Sequence, residues 1–291
     1  YDYMKENYSP ELWIAEGTTS YYDELLLVRG GLLKPEKYLE NLAGAVQADR
    51  QRPGNLRQSV AEASFDAWVK YWKGAEQAYN FESDYYGKGS EVSFLLDFEI
   101  RRRSQNKHSL DDVLRTMFER FPLSGTGYTL KDVQAAAEQF AAGSIQKFFD
   151  DFVYGTVPLP WEEYFLLAGL QLVPKDTVTK TWSGLGTSDV GEKTRVTRIV
   201  AGSPAYSAGL DNGDEVLALN GTRVRTSDLN DRVSDMKPGD VVTLTIFRND
   251  QLRDVKVTLG SQPVPAYKLV KVSSPSPLQK EIYQSWLQLG W

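Results

Sequence analysis

The sequence contains no cysteine and a single histidine, His108, in 291 residues. No disulfide framework, thiolate metal site or cysteine nucleophile can be built from it. A metal site resting on two neighbouring histidines is also beyond this chain alone, and a Ser-His-Asp enzyme would have to use His108. Long apolar runs are missing: stretches such as Leu25-Leu26-Leu27-Val28 fall far short of the roughly 20 residues that span a bilayer. Positive charge is not in excess. Lys and Arg number 33 against 39 Asp and Glu, a formal net charge of -6, which argues against nucleic acid or an anionic membrane as the main partner.

What is present is a globular composition, 41% hydrophobic and 25% charged. The length suits two domains, each able to bury a core. The chain begins at Tyr1, and Tyr1-Asp2-Tyr3-Met4-Lys5-Glu6-Asn7-Tyr8 lacks the order of a signal peptide. It reads as the middle of something longer, a fragment or a processed chain.

Residues 1–172 read as helix. Leu12, Ala15, Thr19, Tyr22 and Leu26 recur at helical spacing and predict the core face of a helix from about Glu11 to Arg29, stopped by Gly30-Gly31. A second helix starts near Pro35. Phe65, Trp68, Val69 and Trp72 fall at i, i+3, i+4 and i+7 and predict another core face. Lys88 to Arg103 reads as an amphipathic helix, with Arg101-Arg102-Arg103 suiting its C-terminal dipole. Ser109 and Thr129 each precede acids, as N-caps do. His108 lies in a polar stretch and reads as a solvated loop residue.

The period changes from 3.6 to 2 near Pro174. Lys193–Val200, Glu215–Leu219, Val241–Phe247 and Val255–Leu259 read as strands, with two short helices between them. This predicts a small β-rich domain over 175–262. Pro263 to Pro277 reads as a linker, and Leu278 to Leu289 as a closing helix with Ile282, Trp286 and Leu289 on one side.

In the second domain, Ser183-Gly184-Leu185-Gly186, Ala201-Gly202-Ser203-Pro204-Ala205, Ala208-Gly209-Leu210, Asn212-Gly213-Asp214-Glu215-Val216 and Leu219-Asn220-Gly221 follow one another in order. Together they resemble a PDZ domain of the bacterial type. Glycines let backbone amides turn toward a peptide carboxylate, and an exposed strand edge accepts an extended peptide as an added strand. Gly184, Leu185 and Gly186 are the candidate peptide-binding loop. Its partner would be a peptide C-terminus or a segment of the same protein; a domain that only packs on its neighbour is the open alternative.

In the first domain, Trp13-Ile14-Ala15-Glu16-Gly17-Thr18-Thr19-Ser20-Tyr21 resembles the W-x-x-E-G-x-T-x-Y stretch of gluzincin metallopeptidases. Tyr85-Tyr86-Gly87-Lys88-Gly89 resembles the Y-x-K-G stretch that brings a tyrosine to the same site. With Phe148-Phe149-Asp150 through Gly155-Thr156 and the PDZ-like region, the chain resembles the C-terminal half of a zinc metallopeptidase of the glycyl aminopeptidase family.

The resemblance implies a multidomain α and β protein, a thermolysin-like helical catalytic subdomain followed by a PDZ domain. It implies Glu16 as the third zinc ligand and Tyr86 as the catalytic tyrosine, with Tyr85 as its competitor. Two histidine ligands and the general-base glutamate of H-E-x-x-H would lie in an N-terminal half outside this chain. The implied activity is removal of N-terminal residues, glycine or alanine by family preference, from peptide substrates. The chain alone, without that motif, is expected to be inactive. The alternative is a non-catalytic PDZ adaptor that binds peptides. The bacterial resemblance leaves cytoplasm and periplasm equally open.

Overall fold

The computed structural model describes residues 4–175 and 180–291. A π-helical stretch, Trp13–Thr18, runs directly into α1 (Thr19–Arg29). Then come α2 (Pro35–Gln51), α3 (Val60–Phe65), the single turn α4 (Ala78–Phe81), α5 (Gly87–Arg103), α6 (Leu110–Arg120) and α7 (Leu130–Phe140). A short turn, α8 (Gln146–Phe148), leads through a second π-helical stretch, Phe149–Val153, to α9 (Trp161–Leu167). The starts and stops follow the local chemistry. Gly31 takes φ +72° after α1, Pro35 opens α2, and Ser109 with Asp112 and Thr129 with Asp132 close reciprocal capping boxes on α6 and α7.

Helix α5 is the hub, and it is not amphipathic as expected. Nearly every residue from Lys88 to Arg101 is buried, because other helices cover it on all sides and its polar groups find partners inside. Asp97 accepts hydrogen bonds from the Tyr21 hydroxyl (2.7 Å), the Leu110 amide (2.9 Å) and Arg101 Nε (3.1 Å). Arg101 therefore serves a buried ion pair rather than an exposed helix end.

Two expected core faces are corrected. The buried side of the first helix is Trp13, Gly17, Thr18, Tyr21, Leu25 and Val28, whereas Ala15, Thr19 and Leu26 are exposed and Leu12 and Tyr22 half-buried. The helix is apolar on both sides, so periodicity could not say which side meets α5. Phe65, Trp68, Val69 and Trp72 remain 47%, 45%, 55% and 62% exposed. Helix α3 ends at Phe65 and the chain continues through turns, so these residues share no helical face. His108 is partly exposed beside Phe140, with ring centroids 5.0 Å apart.

The chain then enters strands: β1 (Leu170–Pro174), β2 (Thr181–Trp182), β3 (Leu185–Val190) and β4 (Lys193–Ile199). Next are α10 (Pro204–Ser207), β5 (Glu215–Leu219), β6 (Thr222–Arg223), α11 (Thr226–Ser234), β7 (Val241–Arg248), β8 (Gln251–Thr258) and β9 (Gly260–Ser261). The main sheet has the order β3-β4-β5-β7-β8, with β6 against β5, and every pair is antiparallel. Asn249 and Asp250, both at positive φ, form the two-residue turn between β7 and β8. The core of this domain is aliphatic, built on Val196, Ile199, Leu219, Val242, Leu244 and Ile246.

The segment expected to be a linker carries a strand instead. β10 (Tyr267–Lys271) pairs antiparallel with β1, Leu170 opposite Lys271 and Pro174 opposite Tyr267. The last helix, α12 (Pro277–Leu287), is capped by Ser276 and returns to the helical core. Trp286 packs against Phe98 and Phe94 at 5.0 and 5.7 Å, and its indole N–H donates to the Tyr21 hydroxyl at 3.0 Å. The β domain is thus an excursion between two paired strands of the helical domain. Buried Asn80, on α4, holds it from the other side: its side-chain N–H donates to the Ile199 carbonyl (2.7 Å), and its Oδ1 accepts from the Ala201 amide (2.8 Å).

Two predictions follow from the packing. A Cβ on Gly17 would sit 2.5 Å from Gly89 Cα and 2.7 Å from the Tyr85 carbonyl oxygen, so Gly17→Ala should destabilise by about 2–3 kcal/mol. Gly44→Ala, where nothing lies within 4 Å, should stabilise by up to about 1 kcal/mol. Urea melts of the two variants check the contrast, and equal effects would contradict it.

The second prediction concerns Glu91, buried on α5 beside Lys88 and Asp49. Burial, then the Asp49 carboxylate, pushes its pKa well above the ordinary carboxyl value. The folded state then holds a proton that the unfolded chain releases, so wild-type stability declines as pH rises past the usual glutamate value of 4.5. Glu91→Gln keeps the neutral form. Its Tm relative to wild type should rise as pH climbs above 4.5; a flat difference would mean that Glu91 is ionised in the fold.

Candidate active site

Glu16 sits in the middle of the π-helical stretch Trp13–Thr18 and is half-buried. π-Turns inside helices recur at functional positions because the wider turn redirects one side chain. Here the turn is held on both sides. The Trp13 amide donates to Ser64 Oγ at 3.0 Å, and the Trp13 ring packs edge-on against Phe149. Thr18 Oγ1 shares a hydrogen bond with Ser93 Oγ at 2.8 Å, and Ser93 in turn donates to the Gly89 carbonyl.

Tyr86 is the residue just before α5, and its amide donates to Asp84 Oδ1 at 2.9 Å. Two residues on, the Lys88 ammonium is buried and bonded to Asp49 Oδ1 at 2.5 Å, while the Trp161 indole N–H donates to Asp49 Oδ2 at 2.9 Å. These bonds tie the start of α5 to α2 and α9. Tyr85 is buried, and burial followed by the neighbouring Tyr86 raises the pKa of its hydroxyl. The two ring centroids lie 4.6 Å apart, the planes tilted by 32°.

The two stretches meet backbone to backbone. Gly17, next to Glu16, lies against Gly89 and the Tyr85 carbonyl, closer than any side chain would allow. The crossing brings the Glu16 turn to within one residue of the turn that starts at Tyr86. Lys88 belongs to the Y-x-K-G stretch, whereas Asp84, which also fixes that turn, was missed; an acid two residues before Tyr86 and a glycine just after it are its signals.

A metal centre needs more donors than this. No group of three His, Cys, Asp or Glu side chains that could hold an ion occurs among the described residues. Glu16 fits one oxygen ligand of a three-ligand zinc site, and the remaining donors have to come from elsewhere. A groove of about 1110 Å³ runs along another face of the first helix, lined by Ile14, Thr18, Tyr22, Leu26, Phe118 and Phe121 among others, with Glu16 and Tyr86 outside its lining. Its wall is the apolar stripe of α1 that α5 leaves uncovered.

Gly184, Leu185 and Gly186 lie apart from this site, at the start of β3. Gly184 has φ +77°, and a Cβ there would strike Ser203 at 2.1 Å. Its carbonyl accepts from the Val200 amide, and the Leu185 amide donates to Ser183 Oγ at 3.3 Å. β3 ends the sheet, so one of its edges is unpaired within the sheet order. Beneath the loop, Leu185, Leu229 and Val233 are among the residues around a cavity of only about 10 Å³.

Comparison with known proteins agrees with both halves. The M61 glycyl aminopeptidase family matches residues 1–92, and the PDZ domain family matches residues 169–259. A crystal structure of an aminopeptidase N family protein from Idiomarina loihiensis superposes on 99% of this chain and 50% of its own, with a TM-score of 0.87 and 26% identity. A probable periplasmic serine endoprotease DegP-like of Rhizobium meliloti is 33% identical over 105 residues, 32% of this chain and 21% of that protein. The serine protease Do-like HtrB of Bacillus subtilis is 30% identical over 100 residues, 22% of its length. The chain therefore spans about half of the aminopeptidase and about a fifth of these two proteases. Residues 1–92 are thus similar to the M61 glycyl aminopeptidase family, and residues 169–259 to the PDZ domain family.

Proposed function

We propose that this chain supplies one half of the active site of a zinc-dependent aminopeptidase, with Glu16 as a zinc ligand and Tyr86 as a catalytic hydrogen-bond donor. The observation that carries this reading is the Gly17–Gly89 crossing, which sets the Glu16 carboxylate turn against the Tyr86 turn. Zinc, when bound, would lower the pKa of a water and polarise the scissile carbonyl. Glu16 would hold the ion from a rigid, doubly anchored turn. The Tyr86 hydroxyl would donate to the carbonyl oxygen as negative charge builds on it, a contribution of about 10²–10³ in rate for such donors.

The two histidines and the general base would come from outside this chain. A preference for glycine or alanine at the released position rests on the family alone. The PDZ domain would take a peptide along the unpaired edge of β3, with Gly184, Leu185 and Gly186 at its carboxylate. That requires Leu185, Leu229 and Val233 to part, because the space between them is smaller than a side chain. The adaptor reading is supported by the same edge strand and would need no metal.

Glu16 separates the readings. In the complete enzyme, Glu16→Ala should lower zinc stoichiometry and abolish turnover while the melting curve stays close to wild type. Glu16→Gln keeps the shape but loses the charge, so it should also lose much of both. An ordinary surface acid would change stability by less than about 0.5 kcal/mol and activity hardly at all. Full occupancy and normal turnover in Glu16→Ala would remove the metal-ligand assignment. Tyr86→Phe should lower kcat at least about 100-fold with little change in KM; if kcat survives, Tyr85 becomes the donor to test.

A further inference from the structure

The turns that follow α3 leave large aromatic side chains in solvent, and one end of that surface reaches Tyr86. Trp72 is 62% exposed, and its ring meets Tyr71 edge-on, at 5.4 Å and 83°. The Tyr71 ring lies 5.0 Å from that of Tyr85 and 5.8 Å from that of Tyr86. Trp72, Tyr71 and Tyr86 thus form one continuous row of aromatic rings that runs outward from Tyr86, with the buried Tyr85 packed beneath it.

The segment is a built turn. The Trp72 amide donates to the Ala67 carbonyl, the Val69 and Lys70 amides donate to Asp66, and the Lys70 ammonium pairs with the Asp66 carboxylate at 2.6 Å. The indole is therefore presented before any ligand arrives, which limits the ordering cost of binding. Exposed tryptophan and tyrosine at a site rim supply large contact area and accept apolar partners. Continuity with Tyr86 puts any partner of this surface next to the reacting bond.

We infer that the Trp72–Tyr71 surface is a substrate subsite that takes one apolar or aromatic side chain of the peptide, next to the bond that is cut. The inference rests on the peptidase reading above and adds to it the class of side chain recognised. Trp72 is the specificity residue, and Tyr71 positions both Trp72 and Tyr86.

The test uses the complete enzyme with three peptide amides: Ala-Ala, Ala-Phe and Phe-Ala. Trp72→Ala should lower kcat/KM for one of the two phenylalanine peptides about tenfold relative to Ala-Ala, chiefly through KM. Trp72→Phe should restore most of that ratio. An unchanged ratio for both peptides overturns the subsite. So does a Trp72→Ala enzyme that loses all three activities together and melts several degrees lower, because the surface is then covered by protein. If the wild-type enzyme cleaves none of the three, the peptidase reading fails, and tryptophan emission of the 291-residue chain decides the subsite. A saturable change with Ala-Phe amide or Phe-Ala amide, absent in Trp72→Ala, supports it; no saturable change overturns it.

Discussion

The close approach of Gly17 to Gly89 is the constraint on which the first domain depends. Two helical segments touch through bare backbone, nearer than side chains permit. That contact lets Trp13 and Tyr21 reach the core on either side of it, and it fixes the height at which Glu16 and Tyr86 stand relative to one another. The polar groups of α5 are arranged around the same axis. Asp97 gathers Tyr21, Leu110 and Arg101 one side along, and Asp49 gathers Lys88 and Trp161 near its start. A buried network with most of its members paired specifies geometry as well as stability.

Much of this was legible in the residues, and the failures have physical causes. Caps at Ser109 and Thr129 and the stop at Gly30-Gly31 are local chemistry, and they stand where the sequence puts them. The face of α1 was misassigned because Leu25, Leu26, Leu27 and Val28 make the helix apolar all round, and only the Gly17 contact decides between its sides. The expected face through Trp68 and Trp72 assumed that α3 continued, whereas a turn intervenes after Phe65. β10 was hidden among prolines, since its partner lies nearly a hundred residues earlier. Glu16 and Tyr86 came from resemblance, and the backbone then brought them to one crossing.

The second domain is attached at more than its two ends. Asn80 offers both faces of its amide to the end of β4, so the domain's orientation is set by directional bonds at a point away from the chain connections. Arg198, on that strand, also lies over the Tyr79 ring at 4.7 Å. The unpaired edge of β3 is thereby held in a defined relation to the helical domain.

The pairing of β1 with β10 also orders events in time. The β domain lies wholly between them, and its own contacts are local, so it can form as soon as it leaves the ribosome. The helical domain cannot. Trp286, which joins Tyr21, Phe94 and Phe98, is made only after the whole β domain. Until α12 emerges, the top of α5 has no lid and those aromatic rings face water. The helical half thus waits for α12, a non-local closure that slows folding and lengthens the interval of exposure to aggregation.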